Sequence, residues 1–146
     1  MPNENRIEYD KRSFMLTTGY CGEAPDKDRL CALYSPYNAL KLITDAKSGE
    51  IVGCECHIGE LEKLPRAGFE IKSYIVGCVN ALWDSGKFLA GCNYLIDFNC
   101  LPSYDSGSGF IAFGAISDEF MSVRICDNLY LSFDGESNLR TIAIKL

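Results

Sequence analysis

Cationic side chains are almost missing from a long stretch of this sequence. Between Lys87 and Arg140 only Arg124 is basic. No basic cluster anywhere is longer than Lys11-Arg12. Phosphate contacts need groups of Lys and Arg, so nucleic acid is not expected as a direct ligand. An anionic membrane surface is disfavoured for the same reason. No apolar run approaches the roughly 18 residues that would suggest a membrane span. The first thirteen residues are polar and carry no apolar signal core, so a cytoplasmic protein is expected. There is one histidine, and the spacing Cys-x-x-Cys does not occur. A phosphate-cradling Walker loop, a dinucleotide-binding Gly-x-Gly-x-x-Gly after a strand and a Gly-x-Ser-x-Gly nucleophile elbow are all absent. No composition break or low-complexity tract divides the chain, and 146 residues suit a single domain spanning 1–146.

What replaces the missing cations is acid. The 52 residues between Lys87 and Arg140 hold Asp97, Asp105, Asp118, Glu119, Asp127, Asp134 and Glu136. Seven acids against one base give that stretch −6, which is the net charge of the whole chain. A field of one sign steers oppositely charged partners and repels polyanions.

The hydropathy pattern predicts mainly β structure. Alternation of period two runs through Arg6–Asp10, Phe69–Tyr74 and Leu139–Ile144. Apolar strand candidates cover Phe88–Phe98, Phe110–Ile116, Phe120–Cys126 and Leu129–Phe133. Turn residues fall between them at Asp84-Ser85-Gly86, at 105–109, at Asp127-Asn128 and at Asp134-Gly135. Ser35-Pro36 suits the start of a helix ending at Gly49. A hairpin pairing Ala39–Thr44 with Glu50–Cys56 is the preferred alternative, since Leu40 and Leu42 alternate around Lys41. Short helices are expected over Pro25–Tyr34, with Leu30, Leu33 and Tyr34 on one face, and over Gly59–Leu64. The fold class is mainly β (or α+β): an antiparallel β-sandwich or a partly closed barrel with one or two short helices.

Eight cysteines permit four disulfides on paper. Several sit inside apolar runs, as Cys78 and Cys126 do, where a free thiol behaves as a small hydrophobe. Reduced core thiols are therefore the expectation. Cys54-Glu55-Cys56-His57 gathers three soft ligands, but on a strand the two thiols point one way and His57 the other. Such a set does not close a tetrahedral zinc site by itself, so no metal and no cofactor are expected. Cys21, in Gly19-Tyr20-Cys21-Gly22, is the most loop-like thiol, with His57 as its one conceivable histidine base. A turn with an incidental cysteine explains that motif more simply, and no catalytic residue is assigned.

The remaining signal is the acidic stretch and its aromatics. Tyr104 is read as lying in a turn, Pro102-Ser103-Tyr104-Asp105, and so as an exposed aromatic beside carboxylates. Tyr104, Asp105, Asp118, Glu119, Asp127, Asp134 and Glu136 form the candidate partner-binding set. In size, acidity and lack of catalytic motifs the chain resembles the small acidic immunity proteins that bacteria use against basic nuclease toxins. That resemblance implies a non-enzymatic inhibitor which covers the cationic site of a basic protein partner. Two other functions fit the same composition. One is a β-barrel carrying a small apolar ligand. The other is an enzyme built on Cys21 or on the Cys54–His57 cluster.

Overall fold

The run Leu40–Asp45 alternates buried and half-buried side chains without a break, as a strand with one face on a core must. In the computed structural model such strands assemble into two six-stranded sheets. The structure describes residues 7–19, 27–35, 40–68, 70–80, 89–98, 100–115 and 117–146. In chain order the strands are β1 (Glu8–Asp10), β2 (Met15–Thr17), β3 (Leu30–Ser35), β4 (Leu40–Asp45), β5 (Ile51–His57), β6 (Ile75–Val76), β7 (Asn93–Leu95), β8 (Pro102–Asp105), β9 (Phe110–Gly114), β10 (Met121–Cys126), β11 (Leu129–Phe133) and β12 (Leu139–Lys145). The first sheet is ordered β1-β2-β5-β4-β3-β7 and the second β6-β10-β11-β12-β9-β8. All pairings are antiparallel except β3 with β7 and β6 with β10. The architecture is a β-sandwich, and it does not close into a barrel. No helix among the described residues is long and apolar enough to cross a membrane.

The core lies between the sheets. Leu16, Leu33, Leu42, Cys54 and Cys56 face it from the first sheet, and Ile111, Phe113, Leu131, Ile142 and Ile144 from the second. Each fully buried aliphatic or aromatic side chain of this kind contributes about 1.5–3 kcal/mol relative to exposure. A second, smaller core lies on the outer face of the second sheet, where Phe110, Ala112, Tyr130 and Ala143 are covered by Ala67 and Ile71.

The cover is a strap. Residues 65–67 bond to the free edge of β8, through Tyr104 N–H to the Pro65 carbonyl and Ala67 N–H to the Tyr104 carbonyl. Nine residues after Arg66 the chain reaches the opposite edge, where Ile75 and Val76 pair with Val123 and Arg124. Six inter-strand steps of ~4.8 Å make that crossing about 29 Å. Nine residues reach only about 30–32 Å when extended.

Several expected elements differ. The helix expected over Pro25–Tyr34 is not found: Pro25 and Asp26 lie outside the described residues, Lys27–Arg29 makes one 3-10 turn, and Leu30 onwards is strand β3. That strand has partners on both sides, β4 and β7, and two ladders of backbone hydrogen bonds outweigh a weak helical pattern. Of Phe69–Tyr74, Phe69 lies outside the described residues and Glu70–Tyr74 is not strand, because it belongs to the strap; only Ile75–Val76 pairs. Of Phe88–Phe98, strand pairing covers Asn93–Leu95 alone. The hairpin of β4 and β5 is present with its turn at 45–49, and Leu61–Lys63 forms a single 3-10 turn. Cys21, Ala39, Asp84-Ser85-Gly86, Phe88 and Ile116 lie outside the described residues.

Candidate functional site

Strand registers decide where each acid goes. β12 runs from Thr141, opposite Gly114, to Lys145, opposite Phe110. Hence the β8–β9 turn at 105–109 and the β10–β11 turn at 127–128 share one end of the second sheet. The 115–120 loop and the β11–β12 turn at 134–138 share the other, since Met121 pairs with Phe133. Asp105 and Asp127 therefore stand at one end, and Asp118, Glu119, Asp134 and Glu136 at the opposite one. About five residues of strand separate the ends, roughly 15–20 Å. The Debye length at physiological salt is about 8 Å, so the two groups do not act as one field. The expected single acidic face is thus two smaller ones.

The individual residues also differ in what they can offer. Tyr104 is not in a turn. It lies on strand β8 opposite Ile111, half-buried against the main core, with the Arg66 guanidinium 4.8 Å from its ring centroid. The apolar triplet it faces on β9 draws it into the sheet, and so it is no exposed anchor. Asp105 uses its carboxylate on its own turn, accepting from the N–H of Gly107, at 3.2 Å, and from the Ser108 hydroxyl, at 2.7 Å. Asp134 is likewise engaged. It accepts from the N–H groups of Asn138 and Glu136 at 3.0 and 2.9 Å and from Arg140 Nε at 2.9 Å. The Asn138 N–H foremost, then Arg140, holds its carboxyl down at about 2. Asp118, Glu119, Asp127 and Glu136 are exposed.

At the end carrying Asp118 the strap and the sheet leave a cleft of about 380 Å³. Its floor is a row of three hydroxyls from neighbouring strands. Ser122 stands opposite Ser132, and Ser132 opposite Thr141. All three are buried. The Ser122 and Ser132 hydroxyls lie 2.7 Å apart, and the Thr141 hydroxyl donates to the Ala115 carbonyl. Tyr74, Phe120 and Met121 form apolar walls, while Glu70, Lys72 and Asp118 also line the cleft. Tyr74 is held edge-on to Tyr130, with centroids 5.2 Å apart, and beneath the Arg124 guanidinium. Buried hydroxyls supply acceptors for N–H donors, and carboxylates nearby favour a cation.

Glu70, Ser122, Ser132 and Thr141 did not stand out in the sequence. The available signal is that each hydroxyl alternates with inward-facing apolar residues along its strand. Their alignment in one row depends on register, which linear spacing does not carry.

The seven described cysteines are free thiols. Cys54 and Cys56 point into the core and His57 is exposed on the far side of β5, as alternation requires. A hydrogen bond with Cys56, then burial, pushes the Cys54 thiol far up, which makes it a poor nucleophile and ligand. Among the described residues no three His, Cys, Asp or Glu side chains are grouped to hold a metal ion. No family model matches the chain, and no curated protein matches it.

Proposed function

We propose that this protein binds a basic partner protein through the acidic end of its second sheet, and that a Lys or Arg of the partner enters the strap cleft. The observation that carries the reading is the presence of two carboxylates, Glu70 and Asp118, in the lining of one cleft above three buried hydroxyls. The carboxylates attract the cationic head, the hydroxyl oxygens accept its N–H groups, and the ring of Tyr74 covers its methylene stem. Lys72 offsets one of these charges, while Glu119 and Glu136 on the adjoining loops extend the negative rim.

The role that suits such a surface is inhibition, in kind like an immunity protein: carboxylates cover the cationic site with which a nuclease would hold its polyanionic substrate. We place this role in the cytoplasm, where thiols stay reduced; the seven free cysteines agree with it.

The test uses a fluorescent peptide rich in Arg and Lys, titrated into the protein at low and at physiological salt. Binding should weaken steeply with salt. The double variant Glu70→Gln/Asp118→Asn should lose about tenfold or more in affinity. Asp105→Asn/Asp127→Asn, at the other end, should change it less than about twofold. Salt-independent binding, or equal losses from both ends, would overturn the proposal.

A further inference from the structure

We infer that the seam between the two sheets holds a second site, for a compact, uncharged apolar molecule with a hydrogen-bonding group. Three features meet there. The first is a cavity of about 460 Å³ that shares no lining residue with the strap cleft. Val79, Ile96, Phe133 and Leu139 wall it, and Leu42 and Leu131 floor it.

The second is a pair of β-bulges that face each other across it. Thr44 pairs with Ile51 although Ile43 pairs with Gly53, so Val52 is an extra residue in β5. Phe133 pairs with Leu139 although Ser132 pairs with Thr141, so Arg140 is an extra residue in β12. Ile51, Phe133 and Leu139, which flank the bulges, all line the cavity. A bulge bends its strand and sharpens its twist, and one in each sheet at the same place parts the two sheets there.

The third is backbone strain at the rim. Ser137 lines the mouth with φ of 64°, a left-handed conformation that a non-glycine residue adopts at a cost. Its turn is fastened by Asp134, whose carbonyl accepts from the Ser137 N–H at 3.0 Å and whose carboxylate accepts from Asn138.

Chemistry at the two ends of the cavity narrows the ligand. Leu42 and Leu131 are 1% and 0% exposed, so the cavity stops at them and takes a ring or a short branched group, not a long acyl chain. Asn80, Asp97, Ser137 and Asn138 stand at the rim. Amide and hydroxyl groups recognise an alcohol or an amide, and the carboxylate of Asp97 repels a carboxylate or sulfonate.

The experiment compares two fluorescent probes of nearly equal shape, neutral N-phenylnaphthylamine and anionic anilinonaphthalene sulfonate, on the whole protein. The neutral probe should bind saturably with one site, and the anionic probe at least about tenfold more weakly. Leu139→Trp, which fills the cavity, should abolish binding of the neutral probe with the circular dichroism unchanged. Should that variant fail to fold, Asp97→Asn decides. It should strengthen the sulfonate several-fold and leave the neutral probe as it was. Absence of saturable neutral binding, or insensitivity to both substitutions, would overturn the inference. Glu70→Gln/Asp118→Asn should leave probe binding intact, so this result is independent of the acidic-surface reading.

Discussion

Arg140 and Asp134 meet across the β11–β12 turn, Nε to carboxylate oxygen at 2.9 Å. The contact follows from the bulge at Arg140, which inserts one extra residue opposite the end of β11 and lets the guanidinium return to the start of the turn. The same carboxylate accepts from Glu136 and Asn138. One acid of the seven therefore serves the turn that separates the strap cleft from the seam cavity.

Acid should reveal that role. Asp134 has a folded value of about 2 against an ordinary 3.8. A depressed carboxylate contributes stability that is fully present above the unfolded value and is lost as pH falls through the folded one. The contribution should fade between about pH 4 and pH 2. Urea midpoints measured across that window should fall for the natural protein. Asp134→Ala should start lower at neutral pH and converge with it at the acid end.

Gly114→Ala should be among the most damaging single substitutions. Gly114 has φ of 106°, and an added Cβ would collide with the Arg140 carbonyl oxygen and lie 3.3 Å from the Phe98 ring. The bulged backbone of β12 comes close at this point, so only a residue without a side chain fits. A loss of about 2–4 kcal/mol is expected by chemical denaturation. Gly135→Ala, where nothing lies within 4 Å of the added carbon, should stay within about 0.5 kcal/mol of the natural protein.

Phe113→Ala should cost about 3–5 kcal/mol, because the ring is 0% exposed between the sheets. Leu101→Ala is the control. That side chain is 77% exposed, and its loss should change the denaturation midpoint very little.

The hydroxyl floor has its own thermodynamic signature. Ser132→Ala should cost about 1–3 kcal/mol, since it leaves the buried Ser122 hydroxyl without its partner at 2.7 Å. Replacing both serines by alanine should cost less than the sum of the two single changes. A double-mutant cycle reads that difference, and strict additivity would mean that the two hydroxyls are not coupled.

Alkylation of the native protein, read by peptide mass, should separate the thiols by burial. Cys78 and Cys92 are exposed and should label first. The rate at Cys78 should be modest at neutral pH, because a hydrogen bond to Glu50 raises its thiol. Cys31, Cys54 and Cys56 are buried and should label only on unfolding.

Much of the second sheet was legible from local signals. Turn residues at 105–109, 127–128 and 134–135 separate apolar runs of strand length, and antiparallel hairpins need little else. The same holds for β4 and β5. Leu30–Ser35 was not legible as a strand, because what stabilises it is a pair of neighbours, one of them more than fifty residues away in β7. Phe69–Tyr74 alternates like a strand in sequence, yet its described part, Glu70–Tyr74, is not one. Its apolar positions serve an outer face that has its own small core, and alternation alone does not say which way the segment runs. The acids were legible as a set and not as a surface. Their loops are close in sequence, but successive antiparallel turns fall at alternate ends of a sheet.

Composition and the local hydropathy pattern determined that this chain folds as β structure with a substantial core and that it carries surplus negative charge. Those properties depend on residue type and short-range order, which covalent sequence specifies directly. Tertiary structure alone decided that the acids divide between two ends, that Tyr104 packs while Tyr74 walls a cleft, and that a bulge in each sheet borders one cavity. Each of these depends on strand register and on which sheet edge a segment reaches, and such long-range pairings are set by the burial of the whole core.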